Sequence, residues 1–145
     1  MKKKPLCWIL FLMGVFQAFN GFSGVLGGVM LVKDPTGDSL FMKLEWLTGT
    51  PFSDFLIPGI ILLVFNGLGN LLGVIMTISK KARRAEYAMA FGMIMMIWII
   101  TQVVMLGYLS VLQPLYFSTG LIQLILGAFA WKKSRPGLAV RNENL

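Results

Sequence analysis

Four apolar stretches, at roughly residues 6–32, 55–79, 87–109 and 115–131, contain no Asp, Glu, Lys or Arg. Rising at about 1.5 Å per residue, each is long enough as a helix to cross a hydrocarbon core of about 30 Å. A chain of 145 residues that is 57% hydrophobic and 13% charged cannot bury that much apolar surface inside a small soluble core. The expectation is an all-α membrane protein, a four-transmembrane antiparallel helix bundle forming a single domain over 1–145.

Charge orients the bundle. Lys2, Lys3 and Lys4 precede the first span, Lys80, Lys81, Arg83 and Arg84 separate the second and third, and Lys132, Lys133, Arg135 and Arg141 lie in a basic tail over 132–145. Lys33 and Lys43 share the long connection 33–54 with Asp34, Asp38, Glu45 and Asp54. The positive-inside rule therefore places both termini in the cytoplasm and the 33–54 loop outside. These cations flank span ends and do not form one aromatic-interleaved stripe, so the net charge of +7 points to lipid headgroups and not to nucleic acid. The start MKKKPLCWILFLM has the charged beginning of a signal peptide, but its apolar run is too long and lacks a small-x-small cleavage site. An uncleaved first span is expected.

Composition also removes chemistries. The sequence has no histidine and one cysteine, Cys7. Imidazole-ligated metal, histidine-based acid–base catalysis and an intrachain disulfide are excluded, and no metal or cofactor is expected. The spans lack the intramembrane carboxylate through which proton-coupled exporters work.

The long outer loop opens with Asp34-Pro35-Thr36-Gly37, the pattern of a type I turn. Leu40, Phe41, Leu44 and Leu47 follow at helical spacing, predicting a short amphipathic helix over the bundle mouth with Trp46 at headgroup level. In GTPFSDFLIPG (49–59), Thr50 is expected to cap a helix begun by Pro51, with Asp54 in its first turn and Pro58 kinking it.

Inside the spans the polar residues are amides, spaced with glycines. Gln17, Asn20, Gly24 and Gly28 share one helical face, as do Gly59, Asn66, Asn70 and Gly73; Gly92, Ile99 and Gln102; and Gly120, Gln123 and Gly127. Such faces let membrane helices approach closely and hydrogen-bond across. Alternatively, Asn20, Asn66, Asn70 and Gln102 line a polar pocket for a lipid headgroup or a quinone carbonyl. Trp98, near mid-membrane by count from Arg84, then supplies a ring to pack against a flat ligand.

Asp34-Pro35-Thr36-Gly37, Trp46-Leu47, Pro51-Phe52, Asp54-Phe55-Leu56, Pro58-Gly59, Trp98 with Gln102, and Leu112-Gln113-Pro114 together resemble a group of small uncharacterised bacterial four-span membrane proteins. The resemblance implies a bacterial inner-membrane setting and no activity. The topology is also similar to that of the lipoprotein signal peptidases, which use two outer-face aspartates. Here Asp54 would have to pair with Asp34 or Asp38, but that family's asparagine-x-alanine-aspartate signature is missing.

The leading expectation is a non-enzymatic accessory module of the inner membrane that binds a lipid or another membrane protein. The alternatives are an aspartate-dependent peptidase or lipid-modifying enzyme and a passive conduit for small solutes or lipids.

Overall fold

A computed structural model of the chain describes residues 4–134; Lys2, Lys3 and most of the basic tail, with Arg135 and Arg141, lie outside the described residues. Four long helices carry the fold: α1 (Lys4–Lys33), α2 (Leu56–Ile78), α3 (Arg84–Leu106) and α4 (Leu112–Ser134). All four are long and apolar enough to cross a membrane. At 30 residues, α1 is about 45 Å long.

Polarity is distributed inside-out relative to a soluble bundle. Gln17, Asn20, Asn66, Asn70 and Gln123 are fully buried, while Phe22, Ile78 and Val104 are 68%, 74% and 79% exposed. Apolar side chains lose nothing by facing lipid, whereas an amide there has no partner, so the amides turn inward. The chain is a multi-pass membrane protein.

Around the bundle, α1 packs on α2 and α4, and α3 packs on α2 and α4. The closest approaches need glycine. A methyl group on Gly24 would lie 2.7 Å from the Gly67 backbone nitrogen and 2.8 Å from the Asn66 carbonyl carbon, so α1 and α2 meet backbone to backbone. The α3–α4 pair does the same, with a methyl on Gly92 only 2.7 Å from the Gly120 carbonyl oxygen. At the end carrying both termini, Met13, Ala85, Ala88 and Ala130 form a small buried core.

The second helix is interrupted in two ways that its sequence pattern does not announce. It begins at Leu56, not Pro51. A helix starting at Pro51 would send the Phe55 amide to the Pro51 carbonyl, but that amide donates instead to Pro35 O across the loop at 2.9 Å. Thr50 caps only a local turn, its Oγ1 donating to Leu47 O (2.8 Å) and accepting from the Phe52 amide (3.3 Å). Pro58 therefore falls in the first turn, where backbone N–H groups have no helical acceptor, and its missing donor costs nothing. Further along, α2 widens into a π segment over Leu62–Leu68, where the Gly69 amide reaches back to Val64 O.

α2 ends in a Schellman turn: the Lys80 amide donates to Thr77 O and the Lys81 amide to Met76 O, with Lys80 at φ 53°. Glycine occupies that left-handed position without strain. Lys80→Gly should stabilise the folded protein by about 0.5–1 kcal/mol, read as a raised melting temperature in detergent. Unchanged or lower stability would mean that the lysine is not strained there.

The 33–54 loop closes over the bundle as two 3-10 turns, Asp38–Leu40 and Leu44–Leu47, in place of one amphipathic helix. Phe41 breaks the run at φ 57°. The four apolar residues expected on one face are consequently divided. Leu47 is buried with Phe55 and Leu31, and Leu40 packs against that cluster. Phe41 points outward at 92% exposure, and Leu44 is also exposed.

Candidate functional site

Two polar arrangements and one cavity are candidates. The first is the carboxylate group of the long loop. Asp34 anchors the loop turn, its Oδ1 accepting from the Thr36 amide and hydroxyl and its Oδ2 from the Ser39 amide at 2.8 Å. The Gly37 amide closes the predicted turn onto Asp34 O at 3.1 Å. The Thr36 hydroxyl, and then the Ser39 amide, hold the Asp34 carboxyl below its ordinary value of 3.8. Asp54 lies just ahead of α2 and not in its first turn, its Oδ1 accepting the Leu56 amide at 2.9 Å across two residues. Both aspartates serve local backbone.

The depressed Asp34 pKa gives a pH dependence with a definite sign. A carboxyl lowered in the folded state adds stability above its ordinary value, and that stability is lost as pH falls through the folded value. Below about pH 3.8, the Ser39 amide should therefore lose protection from hydrogen exchange, corrected for intrinsic rate. In Asp34→Asn this acid-dependent loss should be absent.

The second arrangement is the amide network at mid-bundle. Asn20 Nδ2 donates to Gln123 Oε1 (3.0 Å), and Thr119 Oγ1 donates to Asn20 Oδ1 (2.8 Å). Gln123 Nε2 donates to both Asn70 Oδ1 (2.9 Å) and Ala88 O (3.1 Å), and Asn70 Nδ2 donates to Asn66 O (2.9 Å). Carbonyls and amide groups of α1, α2, α3 and α4 are thereby joined. Asn20 and Asn70 are engaged here and do not line the cavity described below.

Asn66 stands apart. It is fully buried, yet neither Nδ2 nor Oδ1 has a hydrogen-bond partner. The wider π turn changes the azimuth between positions four apart, so Asn66 and Asn70 do not reach the same acceptors. Gln17 accepts from Thr77 Oγ1 at 3.0 Å while its Nε2 is unpartnered against Gly73.

The cavity lies toward the long-loop end, with a volume of about 500 Å³. α1 lines it with Ser23, Leu26 and Met30, the loop roofs it with Leu40, Phe41, Met42 and Trp46, and α3 contributes Met95, Trp98 and Gln102. Its lining goes no deeper than Ser23, Met95 and Tyr116, one turn short of Asn20 and Thr119 in the network. Trp98 and Gln102, paired in the sequence reading, are together here and also wall a smaller cavity of about 50 Å³ under Phe55 and Leu47. Asn20, Asn66 and Asn70 are not with them.

No family model, curated protein or solved structure matches this chain. The site must therefore be read from its own chemistry. A mostly apolar chamber with a few polar groups on its wall can hold a membrane-soluble molecule.

Two contributors were not singled out from the sequence. Thr119 completes the amide network. Gln113 Oε1 accepts the Leu109 and Ser110 amides while Ser110 Oγ accepts the Leu112 amide, which builds the wall of the cavity beside Tyr116. Ser110-Val111-Leu112-Gln113 is a capping-box pattern, so the second was legible as a helix start.

Proposed function

We propose that this protein is a non-enzymatic accessory module of the bacterial inner membrane that binds a lipid in the chamber beneath its outer loop. The observation that carries the reading is the cavity of about 500 Å³ between α1, α3, α4 and the loop, apolar over most of its wall and bounded by Trp98 and Gln102. Its volume lies in the range of small-molecule sites, which are mostly apolar with a few polar groups. The inner-membrane setting follows the resemblance of the DPTG to PF-x-DFL-x-PG loop segment to bacterial four-span proteins. Both termini lie on the cytoplasmic side, on the strength of the cationic flanks.

The aspartate-enzyme reading draws no support from the loop. Asp34 is held in its own turn by Thr36 and Ser39, and Asp54 is engaged with the first amide of α2. The conduit reading draws none from a chamber that stops at the amide network.

Native mass spectrometry of protein extracted gently from its membrane tests the proposal. The expected spectrum contains a one-to-one lipid adduct. Bare protein, under conditions that keep lipid on a known binder, would overturn it.

A further inference from the structure

The lining of the large cavity specifies the kind of molecule that fits. Its residues include no Asp, Glu, Lys or Arg. A phosphate or carboxylate drawn into this chamber would lose its hydration and meet no counter-charge, a cost of several kcal/mol even after relaxation. Three polar side chains of the lining are already engaged, whereas those of Trp46, Trp98, Gln102 and Tyr116 make no hydrogen bond among the described residues. Ser23 Oγ donates to Phe19 O and Asn20 O, Ser110 Oγ accepts the Leu112 amide, and the Gln113 amide is used on both sides within the turn before α4.

Of these four, Trp98 and Gln102 belong to the same helix, α3. Among the described residues neither side chain has a hydrogen-bond partner, and both are half-buried at the cavity wall, one helical turn apart on α3. The Trp98 indole offers a donor and nothing else; Gln102 offers an amide donor and a carbonyl. Two donors side by side in an apolar chamber call for an uncharged acceptor, a carbonyl oxygen. The indole face supplies area for a flat or extended apolar body.

Two aromatic rings join the helices on another side of the chamber. Phe19 of α1 and Tyr116 of α4 stack at 5.8 Å and bridge the two helices. On the loop side of that stack, Leu26 and Leu112 line the cavity and are 65% and 53% exposed. Lining residues this exposed leave the chamber unsealed beside α1 and α4.

We infer that the chamber takes an uncharged, carbonyl-bearing lipid from the bilayer, with the carbonyl oxygen hydrogen-bonded to the Trp98 indole N–H and the Gln102 side-chain amide. This rests on the lipid-binding reading above and narrows it to a chemical class. Both a quinone ring and a neutral glyceride ester present this acceptor, and the test separates them.

The purified full chain in nanodiscs of phosphatidylcholine would be titrated with decyl-ubiquinone, with dioctanoylglycerol and with phosphatidylglycerol, binding being followed by tryptophan fluorescence and native mass spectrometry. The expected result is saturable binding of one or both neutral probes, the tighter one identifying the source of the carbonyl, and no competition by phosphatidylglycerol. Trp98→Phe keeps the ring and removes the N–H; Gln102→Leu keeps the bulk and removes the amide. Each should weaken neutral-probe binding by roughly three- to tenfold, the worth of one hydrogen bond, while circular dichroism and melting stay as in the parent. Binding that is insensitive to both substitutions, or equal for the anionic lipid, overturns the inference and leaves the lipid-binding reading standing. Binding of none of the three, with no adduct on the extracted protein, removes both.

Discussion

Gly24→Val is expected to destabilise the protein by roughly 3 kcal/mol or to prevent its assembly, the upper end of the overpacking range. The reason is what surrounds the position. Three backbone atoms of α2, at Gly67 and Asn66, lie within 2.9 Å of where the added Cβ would go. Backbone cannot rotate away as a side chain can, so α1 and α2 would have to separate along the contact that also involves Gly28 and Leu63. Gly14→Ala is the matched comparison. Its nearest neighbour would be Thr77 Cγ2 at 3.9 Å, ordinary contact, and it should be neutral or slightly stabilising. Denaturation in mixed micelles, followed by circular dichroism, reads both. If Gly24→Val unfolds at the same denaturant fraction as the parent, the backbone-to-backbone packing of α1 on α2 is wrong.

The second large effect belongs to Gln123. Replacing it with leucine removes three hydrogen bonds and strands Asn20 Nδ2 and Asn70 Oδ1 in a dry interior. With about 0.6–1.7 kcal/mol for each bond between membrane helices, the loss should be roughly 2–5 kcal/mol. Asn66→Leu provides the contrast. The Asn66 side chain is just as buried but makes no hydrogen bond, so an apolar replacement removes an unmet desolvation cost and should be near neutral or stabilising. The same denaturation experiment separates them. Equal losses for the two variants would mean that Asn66 has a partner of its own and that the network is drawn incorrectly.

These two predictions show which parts of the protein could be read without coordinates. Glycines 24, 28, 92, 120 and 127 and residues Asn20, Asn70 and Gln123 announce themselves by spacing as the inward faces of their helices, and all are buried. Their partners do not announce themselves. Asn20 and Gln123 are 103 residues apart, Gln123 and Asn70 53 apart. Each helix is apolar nearly all round, so hydrophobic patterning leaves its rotation and pairing weakly specified. Close approach at Gly24 and Gly92 settles both. The proposed pocket residues divided for the same reason. Asn20 and Asn70 could satisfy each other through Gln123 once the helices were packed, whereas Trp98 and Gln102 sit nearer the loop, where the bundle opens into the chamber.

By itself the sequence determined four membrane-length helices, the long loop between the first two, and the turn at Asp34 to Gly37. Those features depend on length, composition and local backbone chemistry, which need no partner from elsewhere in the chain. Tertiary structure decided the rest. It moved the start of α2 to Leu56, because Pro35 O takes the Phe55 amide, and it divided the loop into two 3-10 turns around Phe41. It also left Asn66 unpaired beside a π turn and set two unengaged donors, Trp98 and Gln102, against a chamber. Each of those outcomes is a competition for one hydrogen bond or one packing site between segments distant in sequence, and only the folded chain brings the competitors together.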